Sequence, residues 1–270
     1  MSAATFRRQG LAALLALAGL ASFPAGTLAD HSWGGYHWAR AGNPAALALG
    51  DNVSPAWEPY LGTASVEWNR SSVLQTAIVA GGARPKTCKP TAGRVEVCSE
   101  RYGFNGWLGI AQIWISGGHI TQGSTKVNDS YFNTAKYNTP GWRNLVMCQE
   151  IGHTFGLDHQ DEDFSNGNLG TCMDYTSNPD AQPINWYPND HDYQQLEQIY
   201  AHFDGAASVA QTGKAPAAAA GSDEAVAVGT AQWGRLIRST NRGRTEMFEL
   251  DLGHGRKMFT FVIWADPQDR

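Results

Sequence analysis

The stretch that decides the reading is Gln149-Glu150-Ile151-Gly152-His153-Thr154-Phe155-Gly156-Leu157-Asp158-His159. On a helix, positions 149 and 153 lie one turn apart and face the same way, so two ligands there can reach one metal ion. Glu150 sits one step around the helix, close enough to touch a metal-bound water without being a ligand. Gly156 lets the chain leave the helix in a left-handed conformation. The chain then reverses, and His159 can return as a third ligand. Three protein ligands and one water make the open arrangement of a catalytic zinc site. Zinc lowers the pKa of its water, and the neighbouring carboxylate accepts the proton.

These residues resemble the metzincin zinc endopeptidases, whose motif is H-E-x-x-H-x-x-G-x-x-H followed by a Met-turn. Glu150, His153, Gly156 and His159 match in order and spacing, and Cys172-Met173-Asp174-Tyr175 matches the Met-turn. The resemblance runs from about Asp30 to Phe203 in matrixin-like order and does not explain the tail. It implies an α+β fold: a metzincin-like mixed twisted sheet with a long active-site helix and a C-terminal helix. It also implies that Gln149, His153 and His159 hold Zn2+, that Glu150 is the general base, and that Met173 forms an apolar floor beneath the metal. Tyr175 resembles a Met-turn tyrosine that swings between metal and transition state. A peptide substrate is then expected to lie extended along an edge strand near Trp114–Ile120.

One departure stands out: the family's first histidine is Gln149 here. An amide oxygen can bind zinc, but it is neutral and a weaker partner than imidazole. Three outcomes follow, namely ligation through the Gln149 oxygen, completion of the sphere by another residue, or a dead site. Cys148 is five residues from His153 and diverges from it on the helix. The retained Glu150 favours activity, because a dead site needs no carboxylate beside the water. The expectation is therefore a zinc endopeptidase, and the rival is a non-catalytic binding protein that kept the scaffold and lost the metal.

The N-terminus reads as an address. Arg7 and Arg8 precede the apolar run Leu11–Leu20, which Pro24 and Gly26 break, and Thr27-Leu28-Ala29 ends on small residues. This is the pattern of a secretory signal peptide over residues 1–29, and its apolar run is too short to span a bilayer. A secreted or periplasmic chain is expected, with no stable membrane insertion. In an oxidising compartment the four cysteines, Cys88, Cys98, Cys148 and Cys172, suit two disulfides. Three pairings are open. In one, Cys88–Cys98 closes a short loop and Cys148–Cys172 ties a helix to a later turn. Four thiolates on a metal are the alternative, but no C-x-x-C spacing supports it.

The 270 residues carry a formal net charge of −5, and the pI is about 5.9. No overall basic field exists to neutralise phosphates, so nucleic acid is not an expected partner. The expected partners are peptide or protein substrates of a monomer. Residues 30–204 read as the catalytic domain. Within it, Tyr36–Ala39 suggests a first strand, and Ser54 to about Asn69 a helix starting at Ser54-Pro55 or nearer Pro59. Val73–Ala80, Arg94–Cys98, Leu108–Ile115 and a stretch to about Val127 suggest further strands. Thr139-Pro140 opens the helix of the motif, and Asp190 opens the last helix. Residues 205–230 are rich in Ala and Gly and read as a flexible linker. Residues 231–270 read as a β-hairpin turning at Gly253-His254-Gly255. That hairpin is one candidate for keeping the enzyme latent.

Other polar residues have plainer readings. His37 and His119 are expected to be structural or surface residues, with peptide contact open to His119. The run Asp158, Asp161, Glu162, Asp163 is a solvated loop or a Ca2+ site. Thr125, Asn128 and Asp129 are weaker calcium candidates.

Overall fold

The computed structural model describes residues 1, 31–32, 34–209, 232–240 and 243–269. The expected signal peptide, Met1 apart, and most of the expected linker lie outside the described residues. The fold is α+β, as expected. Nine strands form one mixed sheet. They are β1 (His37–Trp38), β2 (Ala45–Asn52), β3 (Leu74–Ala80), β4 (Val95–Glu100), β5 (Trp107–Ser116), β6 (His119–Asn128), β7 (Arg235–Thr240), β8 (Thr245–Gly253) and β9 (Arg256–Trp264). The order is β3-β2-β4-β6-β5-β9-β8-β7, with β1 paired to β6. From β3 to β6 the pairing is parallel, and from β6 through β5, β9 and β8 to β7 it is antiparallel.

Four helices accompany the sheet: α1 (Glu58–Trp68), α2 (Asp129–Phe132), α3 (Pro140–His153) and α4 (Asp190–Ile199). Helix α3 starts where its sequence dictates. The Thr139 hydroxyl accepts the backbone N–H of Trp142, and Pro140 occupies the first turn, where its missing N–H costs nothing. It packs against α1 and against strands β5 and β6, with nearly every residue buried. A Cβ on Gly152 would come within 2.7 Å of both Trp68 and the Met173 sulfur, so that glycine lets three elements meet. Helix α4 is held by a capping box in which Asn189 and Asp192 satisfy each other's backbone N–H groups.

Helix α1 begins at Glu58 beside Pro59, the later of the two starts expected, and its N-cap Trp57 makes no side-chain cap bond. Two elements differ from the sequence reading. Residues 45–52 form β2, a central strand not expected from their Ala-Leu composition, with Leu47 and Leu49 buried. The tail forms three strands, not two. In the turn between β8 and β9, His254 and Gly255 both have positive φ (55° and 71°), as two-residue hairpin loops require.

The tail also changes the sheet's edge. Strand β9 runs antiparallel to β5 from Trp107↔Trp264 to Ser116↔Arg256. The strand expected to receive a peptide therefore has neighbours on both sides, β6 and β9. The physical reason lies in β5 itself, in which Leu108, Ile110, Ala111, Ile113 and Ile115 are all buried. Left as an edge, it would present a long apolar strand with unpaired backbone groups.

Two disulfides join Cys88 to Cys98 and Cys148 to Cys172. Among the described residues, no helix is long and apolar enough to cross a membrane.

Candidate metal and catalytic site

Helix α3 carries Gln149, Glu150 and His153 into the interior, each with side chains essentially without solvent contact. Gly156 turns the chain as its position suggests. Its φ is +101°, and a Cβ there would sit 2.0 Å from the Tyr36 carbonyl oxygen. The reversal returns His159, whose ring lies edge-on to that of His153 with centroids 4.5 Å apart.

Hydrogen bonds orient these side chains. The His153 Nδ1 faces the Leu157 carbonyl at 2.9 Å. A carbonyl can only accept, so Nδ1 carries the hydrogen and Nε2 keeps its lone pair. Burial, with His159 adding to it, pushes the His153 pKa well below the usual imidazole value. His159 Nδ1 faces the Glu162 carboxylate at 3.3 Å, and its buried Nε2 has no partner. The Gln149 amide donates from Nε2 to the Cys172 carbonyl at 2.8 Å. That bond fixes which end of the amide is which, and it leaves Oε1 buried without a partner. Unpaired buried polar atoms are costly and call for an explanation. Imidazole nitrogens and an amide oxygen are donors that zinc accepts, so the donor types fit a zinc ion.

Glu150 adds a third orphan, a buried Oε2 without a partner. Its carboxyl has room because residue 109 on β5 is glycine, where a Cβ would fall 2.6 Å from Glu150 Oε1. Burial raises its pKa well above the ordinary carboxylate range. Met173 is wholly buried against α3 at Gly152. Tyr175 packs on His159 with ring centroids 4.3 Å apart. Burial raises its pKa, and the adjoining Thr245 of β8 works the other way.

The tail covers this group. Phe261 of β9 stacks on His153, with centroids 4.4 Å apart and planes 6° apart. Arg238 of β7 grips both oxygens of Asp158 and lies 3.5 Å from Glu162. Burial alone would raise the Asp158 carboxyl, but the guanidinium outweighs it and the pKa is lowered. These contacts, invisible at the level of local spacing, were missed by sequence reasoning. Arg238 sits in a stretch whose charge pattern gives no sign of its partner.

Calcium finds no support. Asp158 is taken by Arg238, and Asp161 accepts the backbone N–H groups of Glu162 and Asp163. Thr125 donates to the Glu150 carbonyl, Asn128 accepts the Tyr102 backbone N–H and donates to the Gly103 carbonyl, and Asp129 accepts the Trp57 indole N–H.

No protein-family model matches this chain, and no curated protein matches it. Among solved structures it is similar to myroilysin, at 11% identity over 60% of this chain and 82% of that one, with a TM-score of 0.34. It is also similar to high choriolytic enzyme 1, a hatching enzyme zinc-protease from Oryzias latipes, at 12% identity over 64% and 98%, with a TM-score of 0.34. A second myroilysin structure gives 13% identity over 67% and 89%, and 0.31.

Proposed function

We propose that the protein is a secreted zinc-dependent endopeptidase of metzincin type, held latent by its C-terminal hairpin. The observation that carries this reading is the set of orphaned donors: Gln149 Oε1 and His159 Nε2, beside the tautomer-fixed His153, with the unpartnered Glu150 carboxyl next along the helix. Zinc held by Gln149, His153 and His159 would supply Lewis acidity toward a peptide carbonyl and acidify a water. Glu150 takes the proton and delivers it to the leaving amine. A buried carboxyl holds a proton more readily than an exposed one, and a nearby cation draws its pKa back toward neutrality, where acid–base exchange is most effective. Met173 keeps the floor apolar. Tyr175 stands against His159, placed to contact a reacting carbonyl.

A peptide would pair with β5 in the place that β9 fills. The hairpin thus acts as a strand-shaped internal ligand, anchored by Phe261 and Arg238. The binding-protein reading is favoured by one fact, the neutral amide at position 149. Zinc-loaded chain, cleaved between residues 210 and 231 and assayed on a quenched peptide library, separates the two. Cleavage that is abolished by Glu150→Gln with zinc retained supports the enzyme. A cleaved chain that loads zinc and hydrolyses nothing supports the binding protein.

A further inference from the structure

A second group of imidazoles lies away from α3. His37 on β1 and His119 on β6 are directly opposite in the parallel register of those strands. The chain leaving α4 brings His202 and Asp204 to them. The Asp204 Oδ1 is 3.5 Å from His37 Nε2, 3.2 Å from His119 Nε2 and 3.0 Å from His202 Nε2. The His37 ring stands nearly perpendicular to those of His119 and His202, at 85° and 84°, with centroids 5.0 Å away in both cases.

The donor atoms converge. Asp204 Oδ2 accepts the Arg40 backbone N–H at 2.9 Å and lies 3.4 Å from His37 Nε2, while Oδ1 faces all three imidazoles. His37 Nδ1 lies 2.9 Å from the Gly35 carbonyl, which must accept, so that bond holds Nε2 toward the carboxylate. One ligand atom from each of His37, His119 and Asp204 lies within 4.8 Å of the other two, near enough to share one cation. Ligand atoms about 2.0–2.1 Å from a tetrahedral ion stand roughly 3.4 Å from one another, close to the 3.5 and 3.2 Å between Asp204 Oδ1 and the Nε2 atoms of His37 and His119. The bond from His37 Nδ1–H to a backbone carbonyl is also the usual outer support of a metal-bound imidazole.

We propose that His37, His119 and Asp204 form a second zinc site, separate from the α3 group, which ties strand β1 and the chain after α4 to β6, with His202 beside Asp204 at its open side. The donor set of two imidazoles and one carboxylate selects a borderline-soft divalent ion over calcium or magnesium. Its ligands come from three separate segments of the chain, so the role is structural.

The test uses the full chain with zinc alone as probe, measuring bound metal per chain after equilibration and the melting temperature with and without it. His119→Ala/His202→Ala is the informative variant, because those side chains are partly or largely exposed (32% and 60%) and the fold tolerates their loss. It should bind one zinc fewer than wild type and lose the zinc-dependent rise in melting temperature. His153→Ala/His159→Ala should still bind one zinc and still show that rise. Equal stoichiometry in wild type and His119→Ala/His202→Ala overturns the proposal, as does a His153→Ala/His159→Ala chain that binds none. Failure of the α3 site would look different: wild type would bind one zinc, and that zinc would survive His153→Ala/His159→Ala. Asp204→Asn, which keeps an acceptor for Arg40, should lose the same zinc and serves as a second variant.

Discussion

Phe261 lies flat on the ring of His153, 4.4 Å between centroids and 6° between planes. Residues more than a hundred positions apart thus meet face to face at the centre of the candidate site. A stacked ring covers the imidazole face and leaves its edge nitrogens in place, so the contact blocks access without spoiling the donor set.

The hairpin's hold should weaken without Arg238. Arg238→Ala leaves Asp158 largely buried without its partner. Because the Arg238 side chain itself is one-third exposed, the loss of stability is limited to about 1–3 kcal/mol. Zinc-loaded Arg238→Ala should cleave a quenched peptide several-fold faster than wild type. An unchanged rate would show that β7 does not gate the site.

Gln149→His should tighten zinc binding at the α3 site by at least about tenfold, since imidazole is the stronger ligand. Competition against a chromophoric chelator measures this. The second metal site is unaffected by this change, so His119→Ala/His202→Ala provides the background in which to read it. Unchanged affinity would mean that position 149 is not a ligand.

Gly109→Ala should destabilise the fold by about 1–3 kcal/mol. The new methyl would meet Glu150 Oε1 at 2.6 Å and Val146 at 2.7 Å, where neither neighbour has space to retreat. Thermal melting gives the first effect. The second is a displaced carboxylate, seen as a fall in turnover with zinc content unchanged.

Lys126 gives a pH signature. Burial lowers its pKa from 10.5 to about 8. Between those values the unfolded chain binds the proton and the folded chain does not, so stability rises with pH across that window. Below pH 8 the full penalty applies, roughly 3 kcal/mol. Lys126→Met should therefore be more stable than wild type at pH 7 by about that amount, with the advantage fading by pH 10.5. Urea midpoints for both proteins at pH 7, 9 and 10.5 test the trend, and a constant difference would refute it.

The parts legible in the sequence were those fixed by short-range spacing. The separation of Glu150, His153, Gly156 and His159 encodes one helical turn and one reversal, and the structure brings His153 and His159 together accordingly. Strand β2 was hidden because Ala and Leu favour helix in isolation, and only its parallel neighbours β3 and β4 make it extended. The start of α1 was open in the sequence because Pro55 and Pro59 both suit a first turn, and the structure takes the later one. The covering of β5 by β9 was out of reach for a deeper reason. Which strand pairs with which depends on contacts across more than 140 residues, and no local pattern records them. The surroundings of Asp204 were missed for the same reason: His37 and His119, which face it, lie 167 and 85 positions away in the chain.

Strand β9 also decides what the sheet leaves at its margins. With the hairpin in place, the sheet ends on β3 and β7, and β7 presents Arg235 and Arg238 along a six-residue strand. Short, cationic margins resist edge-to-edge association. Remove the hairpin and the margin becomes the ten residues Trp107–Ser116, apolar on nearly every side chain. An activated chain without a peptide in place would carry an adhesive border, and its working lifetime would depend on substrate arriving before another copy does.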